Sequence, residues 1–295
     1  MLSLVNEGYI TQDMVIHPIE ISSEVTRTDY RLGVVRDNIT YGTRNIDLKI
    51  LFIASDQLDF ALKRDKLFGI FSDTNPFYIY EGRPTDRTEV YGFEKPGEKY
   101  GQINQLPSNI ERIKGKRYYV IRENMSEVSQ NGLLGSCDIT LQTYQIPFAE
   151  SSGTSLDPQN TLQDVWQTGQ GLMANNPSSR KYIFENVKQF NIFNAGNVSL
   201  TNEIRGMQFE IVFVGNSNNL YIVNVSNGSR MGIVGSTTDR QLIKFGSPFS
   251  LTRNNDNIFH MFTKEKFVLS PGNNAISITG TDLFDIEFNL RFYYK

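Results

Sequence analysis

Two histidines, His17 and His260, are the only imidazole side chains that could serve acid–base or metal chemistry. They lie 243 positions apart (260 − 17), and no HExxH or comparable metal-binding cluster occurs. No GxSxG nucleophile elbow is present, and Ser178 to Lys181 matches SxxK without its companion motifs. A Ser-His-Asp or Cys-His site built from distant residues stays open as an alternative. We predict that the protein is not an enzyme and uses no metal and no cofactor.

Three short motifs could bind ligands, but each is incomplete. Gly169-Gln170-Gly171 lacks the third glycine, the lysine and the preceding strand of a phosphate loop. The run from Arg253 to Asn257 lacks the ordered ligand spacing of a calcium loop. The best nucleic-acid candidate is the basic and aromatic run from Arg112 to Tyr119 around a predicted hairpin at Lys114-Gly115. Four charges at a hairpin tip are also ordinary solvation, so we expect no specific nucleic-acid site.

The amino-acid composition further restricts the functional classes to which the protein can belong. The 295 residues carry 29 basic and 32 acidic side chains, a net charge of −3, so a broad DNA-binding face is not expected. The single cysteine, Cys137, excludes an intrachain disulfide and is predicted to be a small buried residue. The opening residues do not form a signal peptide, and no apolar run is long enough for membrane insertion. We therefore expect folding in a cytoplasm.

The sequence of the first half predicts mostly strands, with one helix between them. MVIHPIEI (14–21) and IDLKILFI (46–53) alternate between apolar and polar residues. A helix follows, with Ser55 as its predicted cap. Its predicted buried stripe contains Leu58, Ala61, Leu62, Leu67, Phe68 and Phe71.

A polar, turn-rich segment from Gly82 to Pro107 interrupts this pattern. A stretch of this length inside a compact domain is either disordered or a functional projection. Three aromatic residues, Tyr91, Phe93 and Tyr100, are spaced along it. We predict a long hairpin arm that contacts another subunit through these side chains.

Residues 149–160 have the small, polar composition of a linker, and Asp157-Pro158 predicts the start of a short helix. The only tryptophan, Trp166, lies on that helix and must be buried against something. We predict that Trp166 is a plug between two domains. The predicted boundaries are 1–150 for the first domain, 151–176 for the linker and 177–295 for the second domain.

The second half returns to short strands, among them GMQFEIVFVG (206–215), NLYIVNV (219–225) and a closing strand that begins at Phe284. Turns are predicted at Pro271-Gly272 and at Gly280-Thr281-Asp282. The predicted fold class is mainly β: an N-terminal sandwich-like domain with one helix, and a C-terminal jelly-roll-like β-sandwich.

The order of several segments resembles that of siphophage distal tail proteins. These segments are ITYGTRNIDLKILF (39–52), RDKLFGIFSDTNPFYIY (64–80), ITLQTYQIPFAES (139–151), FNIFNAGN, MQFEIVFVGNSNNLYIVNVSNG and the terminal SPGNNAISITGTDLFDIEFNLRFYY. The resemblance is to tail proteins of phages that infect Gram-positive bacteria, and it covers nearly the whole chain. It implies an N-terminal belt domain that forms a ring, usually a hexamer, and a galectin-like or carbohydrate-module-like C-terminal domain.

The same resemblance implies a structural function at the virion tail tip. The expected partners are other copies of the chain, the tail tube protein, the tape-measure protein, a tail-associated lysin or tail-tip protein and a receptor-binding protein. DNA would pass through the ring without specific binding, and assembly would take place in the host cytoplasm. Two alternatives stay open: a protein that binds cell-wall glycan through the second domain, and a glycan-cleaving enzyme with paired carboxylates.

Overall fold

The computed structural model of the chain describes residues 4–26, 35–84, 110–112, 115–157, 165, 166, 168–172 and 180–295. The three aromatic residues of the predicted arm, Tyr91, Phe93 and Tyr100, lie outside this part of the chain, as does most of the predicted linker helix. None of the helices in these ranges has the length and apolar character needed to cross a membrane.

The first half builds one antiparallel sheet, here named the first sheet, with a helix on one face. Its elements are β1 (Ile10–Ile16), β2 (Ile21–Thr26), β3 (Val35–Tyr41), β4 (Asn45–Ile53), α1 (Gln57–Phe71), β5 (Phe77–Ile79), β6 (Gly82–Pro84), β7 (Ile110–Arg112), β8 (Lys116–Met125), β9 (Ser129–Asn131), β10 (Leu134–Thr143) and β11 (Ala149–Ser151). The order in the first sheet is β1-β4-β10-β8-β11, with β5 on β8 and β9 on β10. Strands β2 and β3 form one separate two-stranded hairpin, and β6 and β7 form another.

Alternation along β4 explains how this sheet acquires its core. Ile46, Leu48, Ile50 and Phe52 are buried, while the residues between them point to the other face. The ring of Phe60 in α1 lies 5.2 Å from that of Phe52, so the helix covers the buried face of the sheet. The strand predicted at 46–53 is therefore confirmed.

The helix is present where predicted, and its predicted buried stripe is right at Leu67 and Phe71 but wrong at Leu58, Leu62 and Phe68. The buried residues are Phe60, Leu67 and Phe71, which share one face because they are seven and four positions apart. Leu58 and Leu62 lie on the opposite side and are exposed. Asp56, rather than Ser55, is the N-cap, since its carboxylate accepts a hydrogen bond from the N–H of Asp59 at 2.7 Å.

The second half forms a second antiparallel sheet. Its elements are β12 (Ile183–Glu185), β13 (Gln189–Asn194), β14 (Leu200–Thr201), β15 (Phe209–Asn224), β16 (Arg230–Gly232), β17 (Ser236–Thr237), β18 (Leu242–Gly246), β19 (Ser250–Arg253), β20 (Asp256–Asn257), β21 (Val268–Leu269), β22 (Gly272–Leu290) and β23 (Tyr293–Tyr294). The order is β12-β22-β15-β18-β19-β20, with β13 on β22 and with β16 and β17 on β15, while β14 pairs with β21. The mainly β fold class is confirmed.

Two long strands, β15 and β22, pair along their whole length and bend together. The predicted turn at Gly280-Thr281-Asp282 is wrong, because these residues lie inside the continuous strand β22. The strands predicted at 206–215 and 219–225 are likewise one strand, β15. Register irregularities between Gly215 and Tyr221 add unpaired residues at the bend, so apolar side chains face the core on both sides of it.

Gly280 is expected to be required at this bend. Its φ is +83°, and a Cβ atom there would lie 2.4 Å from the carbonyl oxygen of Asn219. Gly280→Ala should lower the free energy of unfolding by more than the roughly 1–3 kcal/mol of backbone strain alone. Urea unfolding would measure this loss.

The matched control is Gly228→Ala, since Gly228 has a φ of +76° and no atom within 4 Å of the added Cβ. This variant carries the strain without the clash and should be destabilised less. Equal losses in the two variants would contradict the close approach of the two strands.

Candidate functional site: the joint between the two halves

Strand β23 lies in the second half of the sequence but completes the first sheet. It pairs with β11, so that Ala149 lies opposite Tyr294 and Glu150 opposite Tyr293. Just before β23, the N–H of Ser151 donates to the carbonyl of Phe292 at 2.7 Å, and the N–H of Phe292 donates to Oγ of Ser151 at 3.0 Å. The two halves are therefore joined by backbone hydrogen bonds as well as by the connecting segment.

A buried ion network lies beside this strand pair. Oε1 of Glu150 accepts hydrogen bonds from Nε and Nη2 of Arg117 at 2.7 and 2.6 Å, and Nε of Arg291 lies 3.7 Å away. Arg117 also lies over the ring of Tyr78, 3.7 Å from its centroid. Burial lowers the pKa of the Arg117 guanidinium, but attraction to Glu150 together with hydrogen bonds to Tyr80 and Glu150 more than offsets this, so its pKa is raised.

Arg291 connects the network to the segment that leaves the first sheet. Its Nη1 donates to the carbonyl oxygens of Ser151 and Ser152 at 2.6 and 3.0 Å. Its Nε donates to Oε1 of Gln208 at 3.0 Å. A single guanidinium thus contacts β11, the following segment and the residue that precedes β15.

Trp166 is buried in the same region, as a lone tryptophan was expected to be. Its ring centroid lies 5.9 Å from that of Phe292, and the ring of Tyr182 lies 6.1 Å from Phe292 on the second-half side. Trp166 also lies against Gly153, where an added Cβ would meet the indole at 3.2 Å. The interdomain plug role of Trp166 and the boundaries at 150 and 176 stay predictions.

Gln170 is a joint residue that the sequence reasoning missed. Its Nε2 donates to the carbonyl of Gly115 at 2.7 Å and to the hydroxyl of Tyr294 at 2.8 Å. Gly115 is required there, because its φ is +85° and a Cβ would lie 2.4 Å from Oε1 of Gln170. The Gly169-Gln170-Gly171 motif, considered above as a phosphate loop, therefore places an amide against β23.

The basic run from Arg112 to Tyr119 also belongs largely to the joint. Arg117 is bound by Glu150, and Nζ of Lys116 lies 4.4 Å from the ring centroid of Tyr294. The hairpin predicted at Lys114-Gly115 is wrong, since β7 pairs with β6, whereas β8 pairs with β5, β10 and β11. Two of the four basic side chains of this run, Lys116 and Arg117, thus already make contacts within the chain.

The remaining chemical candidates are dispersed. Nε2 of His17 lies 2.7 Å from the carboxylate of Asp47, which also accepts a hydrogen bond from Thr140. The other histidine, His260, lies in a short 3-10 helix of the second half. The hydrogen bond from Thr140 is the largest cause that lowers the pKa of Asp47. Cys137 is buried as predicted, and burial raises the pKa of its thiol. Within the described ranges, no three His, Cys, Asp or Glu side chains gather closely enough to hold a metal ion.

Strands β6 and β7 lie at the two ends of the predicted arm. Gly82 lies opposite Arg112, and Pro84 lies opposite Ile110. The intervening residues, 85–109, lie outside the described residues. The chain thus leaves and re-enters the described structure at one place, as a hairpin arm requires, and the contact role of Tyr91, Phe93 and Tyr100 stays a prediction.

The chain is similar to phage tail proteins in both sequence and structure. A family model for the phage tail protein RIFT-related domain matches residues 3–141. The Dit protein of SPP1, described as a paradigm of the hub adsorption apparatus in phages that infect Gram-positive bacteria, has a TM-score of 0.56 at 10% identity. That match covers 98% of this chain and 95% of the SPP1 chain, so it shows the fold of both halves.

Two further similarities are weaker. The phage P2 baseplate in its activated conformation gives TM-scores of 0.44 with Ca and 0.42 with Sr, both at 9% identity. These matches cover 99% and 98% of this chain and 92% of the other chain in each case. No curated protein sequence matches the chain.

Proposed function

We propose that this chain, whose residues 3–141 match the family model for the phage tail protein RIFT-related domain, is the distal tail hub of a siphophage. In this proposal six copies form a ring that joins the tail tube to the tail tip and to the host-recognition apparatus. The observation that carries the proposal is the fold, which the chain shares along 98% of its length with the SPP1 hub protein. The protein is structural and performs no catalysis.

The position of each half follows from this role. The first half forms the ring, and the second half projects from it to hold other tail components. The joint supports this arrangement, because the pairing of β23 with β11 and the Glu150 network bind the two halves to each other. The neighbours in the tail are the tail tube protein, the tape-measure protein, a tail-associated lysin or tail-tip protein and a receptor-binding protein.

Charge is compatible with a ring through which DNA passes. A strongly basic bore would hold the phosphate backbone and slow its passage. The net charge of −3 for each chain gives no such excess. We propose that DNA passes through the ring without a specific contact and that the protein is located at the virion tail tip after assembly in the host cytoplasm.

The first experiment is the native mass of the full chain. A ring of six chains of 33.6 kDa has a mass of about 202 kDa (6 × 33.6). Native mass spectrometry should show this species, and negative-stain images should show a closed ring with a central hole. A strictly monomeric protein that also fails to form rings on purified tail tubes would overturn the hub assignment.

Deleting the arm is expected to weaken the ring without unfolding the chain. The variant lacks residues 85–109 and joins Pro84 to Ile110 through Asn-Gly, which keeps the β6–β7 pairing. We expect the native mass to shift toward the monomer while the cooperative thermal transitions persist. A matched variant keeps the arm length but replaces Tyr91, Phe93 and Tyr100 with Ser, and it should show the same loss if the aromatic residues make the contact. Loss of the thermal transitions, or an unchanged ring, would contradict the arm hypothesis.

A further inference from the structure

Helix α1 presents two exposed leucines on the side away from the first sheet. Leu58 and Leu62 are 79% and 70% exposed and lie one turn apart, so they form a continuous apolar strip. Among the large apolar residues of the described ranges, these two are the most exposed. An amphipathic helix normally turns such residues toward a core, which indicates that this strip, here named the helix strip, faces a partner.

The hairpin formed by β2 and β3 has the same character. Within the described part of the chain these strands pair only with each other, and Ile21 and Ile39 are 64% and 60% exposed. An isolated two-stranded hairpin is only marginally stable in water. Its base is held by the ring of Tyr41, 5.5 Å from that of Phe148, while its isoleucines remain uncovered.

The hairpin and the helix strip lie toward opposite ends of β4. Strand β3 of the hairpin ends at Tyr41, four positions before β4 begins at Asn45. Helix α1 starts at Gln57, four positions after β4 ends at Ile53. Nine residues of antiparallel strand separate these ends by about 27 Å. Both surfaces stay exposed in the single chain, so the hairpin does not cover the helix strip of its own copy.

A second copy is the occupant that satisfies both surfaces. Two different apolar surfaces toward opposite ends of one domain suit a head-to-tail contact, in which each copy gives one surface and receives the other. A twofold dimer would instead join each surface to itself. In a ring every copy uses both, together with the arm.

We propose that the β2–β3 hairpin of one copy lies across the helix strip of the next copy. The proposal rests on the ring of the proposed function and specifies which surfaces close it. Apolar burial at Leu58, Leu62, Ile21 and Ile39 stabilises the contact and gives each hairpin the cover that its own chain does not supply.

Disulfide trapping between two different variants tests the contact directly. Cys137 is buried, so an introduced cysteine would be the only exposed thiol. Ile39→Cys and Leu62→Cys are purified separately, mixed as the full chain and oxidised. We expect a covalent dimer in the mixture and little in either variant alone, because only the mixture places a hairpin thiol against a helix thiol. The control pairs Ile39→Cys with Leu283→Cys, whose site is 68% exposed in the second half, and it should give no dimer.

The double variant Leu58→Ser/Leu62→Ser supplies a second readout. It should convert the ring of about 202 kDa to monomers without changing the melting temperature of the single chain, because both side chains are exposed there. Leu283→Ser should leave the ring intact.

The outcomes separate this contact from the ring itself. A ring that persists in the double serine variant, with no disulfide in the mixture, would overturn the contact alone and leave the helix strip for another tail protein. A dimer from Leu62→Cys alone would show a symmetric helix contact and would also overturn it. An unsubstituted chain that forms neither ring nor trapped dimer would remove the hexamer and the contact together.

Discussion

Replacing Glu150 with alanine is expected to lower the free energy of unfolding by about 3–5 kcal/mol, the range typical for breaking a buried ion pair. The side chains of Glu150, Arg117 and Arg291 are all at least four-fifths buried, so water does not replace the lost carboxylate. The variant leaves two guanidinium groups facing each other without a counter-charge. Urea unfolding monitored by tyrosine and tryptophan fluorescence would measure the loss.

Two controls separate charge from packing. Glu150→Gln keeps the size and one acceptor oxygen, so it should be less destabilised than Glu150→Ala. Asp65→Asn removes the acidic partner of Arg64 in an exposed pair 2.8 Å apart, and it should change stability by less than about 1 kcal/mol. A Glu150→Ala variant that unfolds like the control would show that the network does not hold the joint.

Truncating Phe292 to alanine is expected to have a comparable effect, about 3–5 kcal/mol. The side chain is fully buried and contacts the rings of Trp166 and Tyr182, so its removal leaves a cavity at the joint. The backbone hydrogen bonds of Phe292 to Ser151 are not removed. The joint should therefore loosen before either half unfolds.

Limited proteolysis tests that order of events. Cleavage within residues 150–180 should increase in Phe292→Ala, while the fragments keep their cooperative thermal transitions. Leu283→Ala is a suitable control, because this leucine is exposed and its truncation leaves no cavity. Unchanged cleavage in Phe292→Ala would contradict the role of the aromatic contact in holding the two halves together.

The local alternation of apolar and polar residues was sufficient to predict burial where a single strand has one face in a core. The closing run Phe284, Ile286, Phe288, Leu290 and Phe292 is buried throughout, as its alternation predicts.

The resemblance to siphophage distal tail proteins is also confirmed, by the match over residues 3–141 and by the fold of the SPP1 hub protein. The order of the segments along the chain was enough to recognise this resemblance, because the order can be seen without knowing which residues are in contact.

The helix and the long strands show where local patterns fail. The apolar pattern of the helix predicts that Leu58 and Leu62 are buried, but both side chains are exposed, because Phe60, Leu67 and Phe71 on the opposite side form the buried face. The run Gly280-Thr281-Asp282 predicts a turn because these residue types are common in turns, yet Gly280 instead permits a close approach within a strand.

The joint could not be predicted for a different reason. Glu150 meets Arg117 and Arg291, and Gln170 meets Tyr294, across separations that leave no periodic signal in the sequence. Only the position of Trp166 pointed to this region, because a tryptophan outside the predicted strands requires burial.

The pairing of β11 with β23 has a consequence for synthesis on the ribosome. Ser151 and Phe292 are 141 residues apart, so at about 5–20 residues per second the partner strand emerges roughly 7–28 s after β11. During that interval the nascent first sheet has an open edge at β11, while its helix strip and hairpin are already made. Translation of the second half therefore sets a delay of this length before the first sheet can be completed.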